Sequence, residues 1–201
     1  MAFTTSKLFS TFLLLDIFIS LSMHSTSAAR NPLPKTNTDF IKTSCTVTSY
    51  PKLCFTSLSA HANAIQASPQ LLAGTALNVT LSSAKSTSNL MVLLSRSQGI
   101  NPREVAAMKD CIEELSDSVD ELGKSINEMG QLKGTNFNLV INDIQTWVSA
   151  ALTDESTCTD GFAGKSMNGN LKITVKDRIV NVAQLTSNAL ALINKFALIH
   201  G

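Results

Sequence analysis

The residues best suited to chemistry are four cysteines, two histidines and a dense set of carboxylates. Cys45, Cys54, Cys111 and Cys158 could serve as thiolate nucleophiles, hold a metal or pair as disulfides. No Cys-x-x-Cys occurs and no histidine stands at zinc-ligand spacing, so no metal site is expected. An even number of cysteines suits a disulfide framework, and four of them allow three pairings. Proximity along the chain favours Cys45 with Cys54 and Cys111 with Cys158. With all four oxidised, no thiolate is left to attack a substrate. His61 and His200, which lie beyond the amino-terminal segment described below, are not part of any nucleophile motif. There is no Gly-x-Ser-x-Gly, P-loop or Rossmann fingerprint. The chain is therefore read as a non-enzyme with no cofactor.

The carboxylates are the clearest remaining feature. Residues 102–130 carry Glu104, Asp110, Glu113, Glu114, Asp117, Asp120, Glu121 and Glu128 against Arg103, Lys109 and Lys124, eight acidic to three basic, a net −5. Asp154, Glu155 and Asp160 form a second acidic set around Cys158. A Cys111–Cys158 bridge would bring the two sets together. Such a patch is either an ordinary solvated face or a surface that steers a basic partner. One glycosylation acceptor, Asn78-Val79-Thr80, is available to a chain on the secretory route.

The elements that must position these residues follow from patterning. The start, MAFTTSKLFSTFLLLDIFISLSMHSTSAAR, has the parts of an export signal: Lys7, an apolar run from Leu8 to Leu21 marred by Asp16, and Ser27-Ala28-Ala29 at the cleavage positions. Cleavage is expected after Ala29. The run is too short for a membrane anchor, no later stretch reads as a span, and the mature protein is expected to be secreted. That leaves residues 30–201 as one domain, with 15 basic and 14 acidic residues once Lys7 and Asp16 go. Near-neutrality argues against a nucleic-acid binder. Aromatic residues make up only 5%, with one Trp and one Tyr. That composition argues for helices over a β-sandwich or barrel.

Residues 30–38 are expected to be an extended tail and 39–62 a small helical hairpin broken at Tyr50-Pro51. Four long helices follow over about 68–199. The first opens at Ser68-Pro69, with a stripe Leu72, Ala76, Val79, Ser83, Ser86, Leu90, Leu93. The second opens at Asn101-Pro102, with Glu104 at the capping-box position and a stripe Val105, Met108, Ile112, Leu115, Val119, Leu122, Ile126, Met129. The third runs from about Asn136 along Phe137, Ile141, Ile144, Val148 and Ala151 towards Cys158. The fourth covers about 171–199 along Val175, Ile179, Val182, Thr186, Ala189, Ile193 and Phe196. This spacing predicts an all-α, up-down-up-down four-helix bundle with an N-terminal helical hairpin.

Four blocks carry a resemblance. Ser44-Cys45 with Tyr50-Pro51-Lys52-Leu53-Cys54, Asp110-Cys111 with Asp117-Ser118-Val119-Asp120-Glu121-Leu122, the run from Gln145 to Phe162, and Thr186 to Asn194 together resemble the plant invertase and pectin methylesterase inhibitor family. The run Ser149-Ala150-Ala151-Leu152-Thr153-Asp154-Glu155-Ser156-Thr157-Cys158 looks more like the methylesterase branch. The resemblance covers 39–196. It implies bridges Cys45–Cys54 and Cys111–Cys158, secretion to the apoplast and cell wall, and reversible one-to-one inhibition of pectin methylesterase by covering its pectin cleft. Acid invertase is the alternative target. By motif position it also implies a partner-binding set: Thr157 first, then Glu113, Asp117, Asp120 and Gln145. A mature protein without nucleic-acid or membrane partners fits the same picture.

Overall fold

Prolines and polar caps set where the helices begin. The computed structural model describes residues 35–132, 134–163 and 169–200, so the export signal expected at 1–29 lies outside the described residues. The helices are α1 (Lys35–Cys45), α2 (Pro51–Leu58), a 3-10 turn over Ser59–His61, α3 (Ala62–Ile65), α4 (Pro69–Ser95), α5 (Pro102–Gly130), α6 (Phe137–Gly161) and α7 (Asn170–His200). No strand occurs among the described residues. Pro51, Pro69 and Pro102 each stand in a first turn, where the missing N–H costs nothing. Ser68 caps α4 by accepting from the Leu71 N–H at 3.3 Å. Asn101 caps α5 by accepting from the Arg103 and Glu104 N–H groups, each at 3.0 Å. The Glu104 carboxylate accepts from the Asn101 N–H at 3.1 Å, completing the capping box.

Residues 35–38, expected to lie in an extended tail, belong to α1, which begins at Lys35. The second arm of the hairpin ends on two left-handed residues, Gln66 (φ 48°) and Ala67 (φ 57°), just before the Ser68 cap. This conformation is uncommon outside glycine, and it turns the chain into α4 within two residues.

In the bundle, α4 packs on α5 and α7, and α6 packs on the same two from the opposite corner. The hairpin lies against α4 and α7. Of the three possible cysteine pairings, the structure has Cys45–Cys54 joining α1 to α2 and Cys111–Cys158 joining α5 to α6, with Cα–Cα separations of 5.7 and 4.5 Å.

Two of the four expected stripes need correction. On α4 the buried positions are Leu72, Ala73, Ala76, Leu77, Thr80, Ala84, Thr87 and Met91, whereas Ser86 and Leu93 face outwards. A helix rich in Ala, Ser and Thr offers little contrast between faces. Threonine tolerates burial because its hydroxyl bonds its own helix, as Thr80 does to the Ala76 carbonyl at 2.8 Å. On α5 Val105 is 43% exposed, and the core line runs through Met108, Cys111, Leu115, Ser118, Leu122, Ser125 and Met129. The small residues Cys111, Ser118 and Ser125, seven apart, let α6 come close. The stripes expected on α6 and α7 are buried, apart from Phe137, which is half-buried.

Over Leu171–His200, α7 is long and apolar enough to cross a membrane by length and hydropathy, contrary to the expectation that nothing after the signal is. Its Val175, Ile179, Val182, Ala189, Ile193 and Phe196 are instead buried in the core, which suffices to explain that composition.

The core divides into two clusters. The larger includes Leu77, Ala84, Leu122, Ile144, Val148, Ala151, Ala189 and Ile193. The smaller joins Met91, Met108, Cys111, Leu115, Cys158, Phe162, Val175 and Ile179. Where they meet, Thr87 on α4, Ser118 on α5 and Glu155 on α6 are buried polar residues.

Candidate partner-binding face

The α5–α6 surface is built by two antiparallel helices whose register is held at two points. Cys111 is bonded to Cys158, and seven residues along α5 the Ser118 hydroxyl donates to Oε1 of Glu155 at 2.9 Å. This register sets Glu114, Asp117 and Glu121 along one side of the exposed groove and Asp154 and Thr157 along the other, by the three- and four-residue steps of each helix.

Crowding of like charges shows in how these groups hold protons. Partial burial, then the neighbouring Asp154, Asp117, Glu113 and Asp110, push the Glu114 carboxyl up. Burial and then Asp154 push Glu121 up to about 7. Asp154 is also raised, chiefly by burial, although its hydrogen bond with Glu121 acts the other way. A carboxyl bonded to a carboxyl needs one proton between them. Oε2 of Glu121 and Oδ2 of Asp154 are shut off from solvent and have no other donor among the described residues.

Thr157 is exposed beside Cys158, and its hydroxyl donates to the Thr153 carbonyl at 3.0 Å. That bond commits its proton and leaves the oxygen free to accept from a partner. Glu113, Asp117 and Asp120 are all exposed on α5. Asp117 leans to the groove, being one of the charges that raises Asp154. Glu113 and Asp120 stand seven residues apart on the outer side. The structure thus brings four of the five sequence-derived contact residues onto one face.

Gln145 is the exception. It is half-buried on the α7 side of α6, where its amide donates to Oδ1 of Asn194 at 2.7 Å. It lies about 18 Å down the helix from Thr157, at 1.5 Å per residue. Sequence reading missed Glu155 as a buried residue, although Val148, Ala151, Glu155 and Cys158 keep the core spacing of α6. It also missed the Glu121–Asp154 pair, which no local signal announces.

A groove of about 500 Å³, lined by Tyr50, Lys52, Leu53, Thr56 and Gln184, opens on the hairpin side. Among the described residues, no trio of His, Cys, Asp or Glu is placed to hold a metal. Asn78 is exposed on α4, near the far end of α5, where it shares a shallow groove with Ile126 and Met129. Its amide donates to the Gly74 carbonyl at 2.8 Å.

Comparison with known proteins agrees with this architecture. The profile of the family described as plant invertase/pectin methylesterase inhibitor matches residues 39–192. A "21 kDa protein" of Daucus carota is 51% identical over 164 residues, covering 80% of this chain and 85% of that protein. "Pectinesterase inhibitor 11" of Arabidopsis thaliana is 46% identical over 196 residues, covering 95% and 97%. The crystal structure of a mutant form of a pectin methylesterase inhibitor from Arabidopsis superposes with a TM-score of 0.63, covering 77% of this chain and 95% of that one. At 23% identity, that likeness speaks to the fold alone.

Proposed function

We propose that this chain, which belongs to the plant invertase/pectin methylesterase inhibitor family, inhibits pectin methylesterase by covering the enzyme's pectin cleft with its α5–α6 face. The observation that carries the reading is near full-length similarity, at 46% identity, to a relative named as a pectinesterase inhibitor. The family description also names invertase, and invertase inhibition is the less favoured alternative.

The face supplies a plausible physics for the contact. Its carboxylates attract a basic rim and speed encounter, while hydrogen bonds near the centre hold the complex. Thr157 accepts a hydrogen bond from the enzyme, and Glu113, Asp117 and Asp120 contribute charge. Gln145, turned into the α6–α7 contact, takes no part. The complex is one-to-one and reversible, and the chain does no chemistry of its own. Export through the segment at 1–29, residence in the cell wall and a glycan on Asn78 complete the reading. Asn78 stands away from the groove, so a glycan there leaves the face open.

A paired titration tests it. Purified mature protein is added to a pectin methylesterase and, separately, to an acid invertase. Saturating loss of methylesterase activity near one equivalent, with invertase untouched, is the expected result. Loss of invertase activity alone moves the chain to the other branch, and loss of neither overturns the inhibitor reading.

A further inference from the structure

Glu155 is fully buried, and its polar neighbours among the described residues are acids and hydroxyls. The charged groups acting on it are Asp154 on its own helix and Glu121 on α5, both acidic, while α7 contributes the Thr186 hydroxyl. Its Oε1 lies 2.9 Å from Ser118 Oγ on α5 and 2.8 Å from Thr186 Oγ1 on α7. Its Oε2 has no donor among the described residues.

Counting protons decides its state. Thr186 has one hydroxyl proton but two acceptors in reach, Glu155 Oε1 and the Val182 carbonyl at 3.1 Å. An ionised Glu155 would compete for that proton and leave its other oxygen bare in an apolar layer, a costly arrangement. A proton on Oε1 removes the conflict. The acid then donates to Thr186, Thr186 donates to Val182, and Ser118 still donates to the acid.

We propose that Glu155 is a positioning residue: held as a neutral acid between α5 and α7, it sets the rotation of α6 and so the placement of Asp154 and Thr157. This rests on the contact face proposed above. The surroundings agree, since burial, against the two hydroxyls, pushes the Glu155 carboxyl from 4.5 up to about 7. Folding stability from this group is therefore fully present below about 4.5 and is lost as pH rises through about 7. Across that window the folding constant falls about tenfold per pH unit for one differentially bound proton.

The test compares wild type with Glu155→Gln, Glu155→Leu and Thr186→Val. Glu155→Gln, a permanently neutral analogue, is expected to remove about a tenfold-per-unit component from the pH dependence of the folding constant between pH 5 and 7. It should leave methylesterase inhibition within about twofold of wild type. Glu155→Leu, which fills the space without hydrogen bonds, is expected to weaken inhibition by about tenfold or more and to speed amide exchange over 150–160. Where the Leu variant does not fold, Thr186→Val serves in its place with the same two expectations. A pH slope unchanged by Glu155→Gln overturns the neutral acid. Wild-type inhibition and exchange in the variant that removes the bonds overturns the positioning role. If wild type inhibits nothing, the proposed function fails, and the pH slopes and exchange rates still decide Glu155.

Discussion

Two polar side chains tie helices together in this molecule with opposite chemistry. On the hairpin side, Asn188 of α7 is 3% exposed. Its Oδ1 accepts from the Tyr50 N–H at 3.0 Å and its Nδ2 donates to the Tyr50 carbonyl at 3.1 Å. A neutral amide meets a neutral peptide group, and both of its ends are paired. On the α5–α6 side, Glu155 meets two hydroxyls and keeps one oxygen without a donor. The amide makes a joint indifferent to pH, and the acid makes one that depends on a proton. The hairpin is thus fastened by fixed chemistry, while the charged face rests on groups that titrate near neutrality.

The two disulfides, one in each region, provide the coarsest break. Replacing Cys111 and Cys158 by Ala opens a 47-residue separation and is expected to cost about 4 kcal/mol in denaturant unfolding. The same change at Cys45 and Cys54, separated by nine residues, should cost about 2.5 kcal/mol. A larger loss at the hairpin would reverse the ranking. Asn188→Ala strips the Tyr50 N–H of its acceptor, while the Tyr50 carbonyl keeps the Cys54 N–H at 2.9 Å, and should cost about 1.5 kcal/mol. That loss should be equal at pH 5 and pH 8, in contrast to the pH-dependent share of Glu155. A loss that changes with pH would end the distinction between the two joints.

Exposed residues of the face should show in binding and not in folding. Thr157→Ala and Asp117→Asn are each expected to weaken methylesterase inhibition by about tenfold, near 1.4 kcal/mol, with melting temperature unchanged. Unchanged inhibition constants in both variants would remove the face from the mechanism. Smallest of all, Ala67→Gly relieves a left-handed alanine and should stabilise the fold by about 0.5 kcal/mol without altering inhibition.

Much of the helical frame was legible because its signals are local. Ser68-Pro69 and Asn101-Pro102-Arg103-Glu104 announce two helix starts through bonds that reach only two or three residues. The face was legible in part. Motif position, through the family resemblance, led to Glu113, Asp117, Asp120 and Thr157, all exposed on α5 and α6. Gln145 stands apart from them because motif position says nothing of the direction a side chain takes. Its partner Asn194 is 49 residues away.

By itself the sequence determined that this is a helical, cysteine-paired chain with acidic clusters beside Cys111 and Cys158, and where its bundle helices start. Those properties depend on composition and on neighbours within one turn. Tertiary structure decided how each helix is rotated. On α4 the apolar contrast is too low to choose a face, and on α5 the close approach of α6 at Cys111, Ser118 and Ser125 moves the core line off Val105. It alone decided that Glu155, an acid in a core position, is neutral, because the hydroxyls that make this possible come from α5 and α7, 37 and 31 residues away.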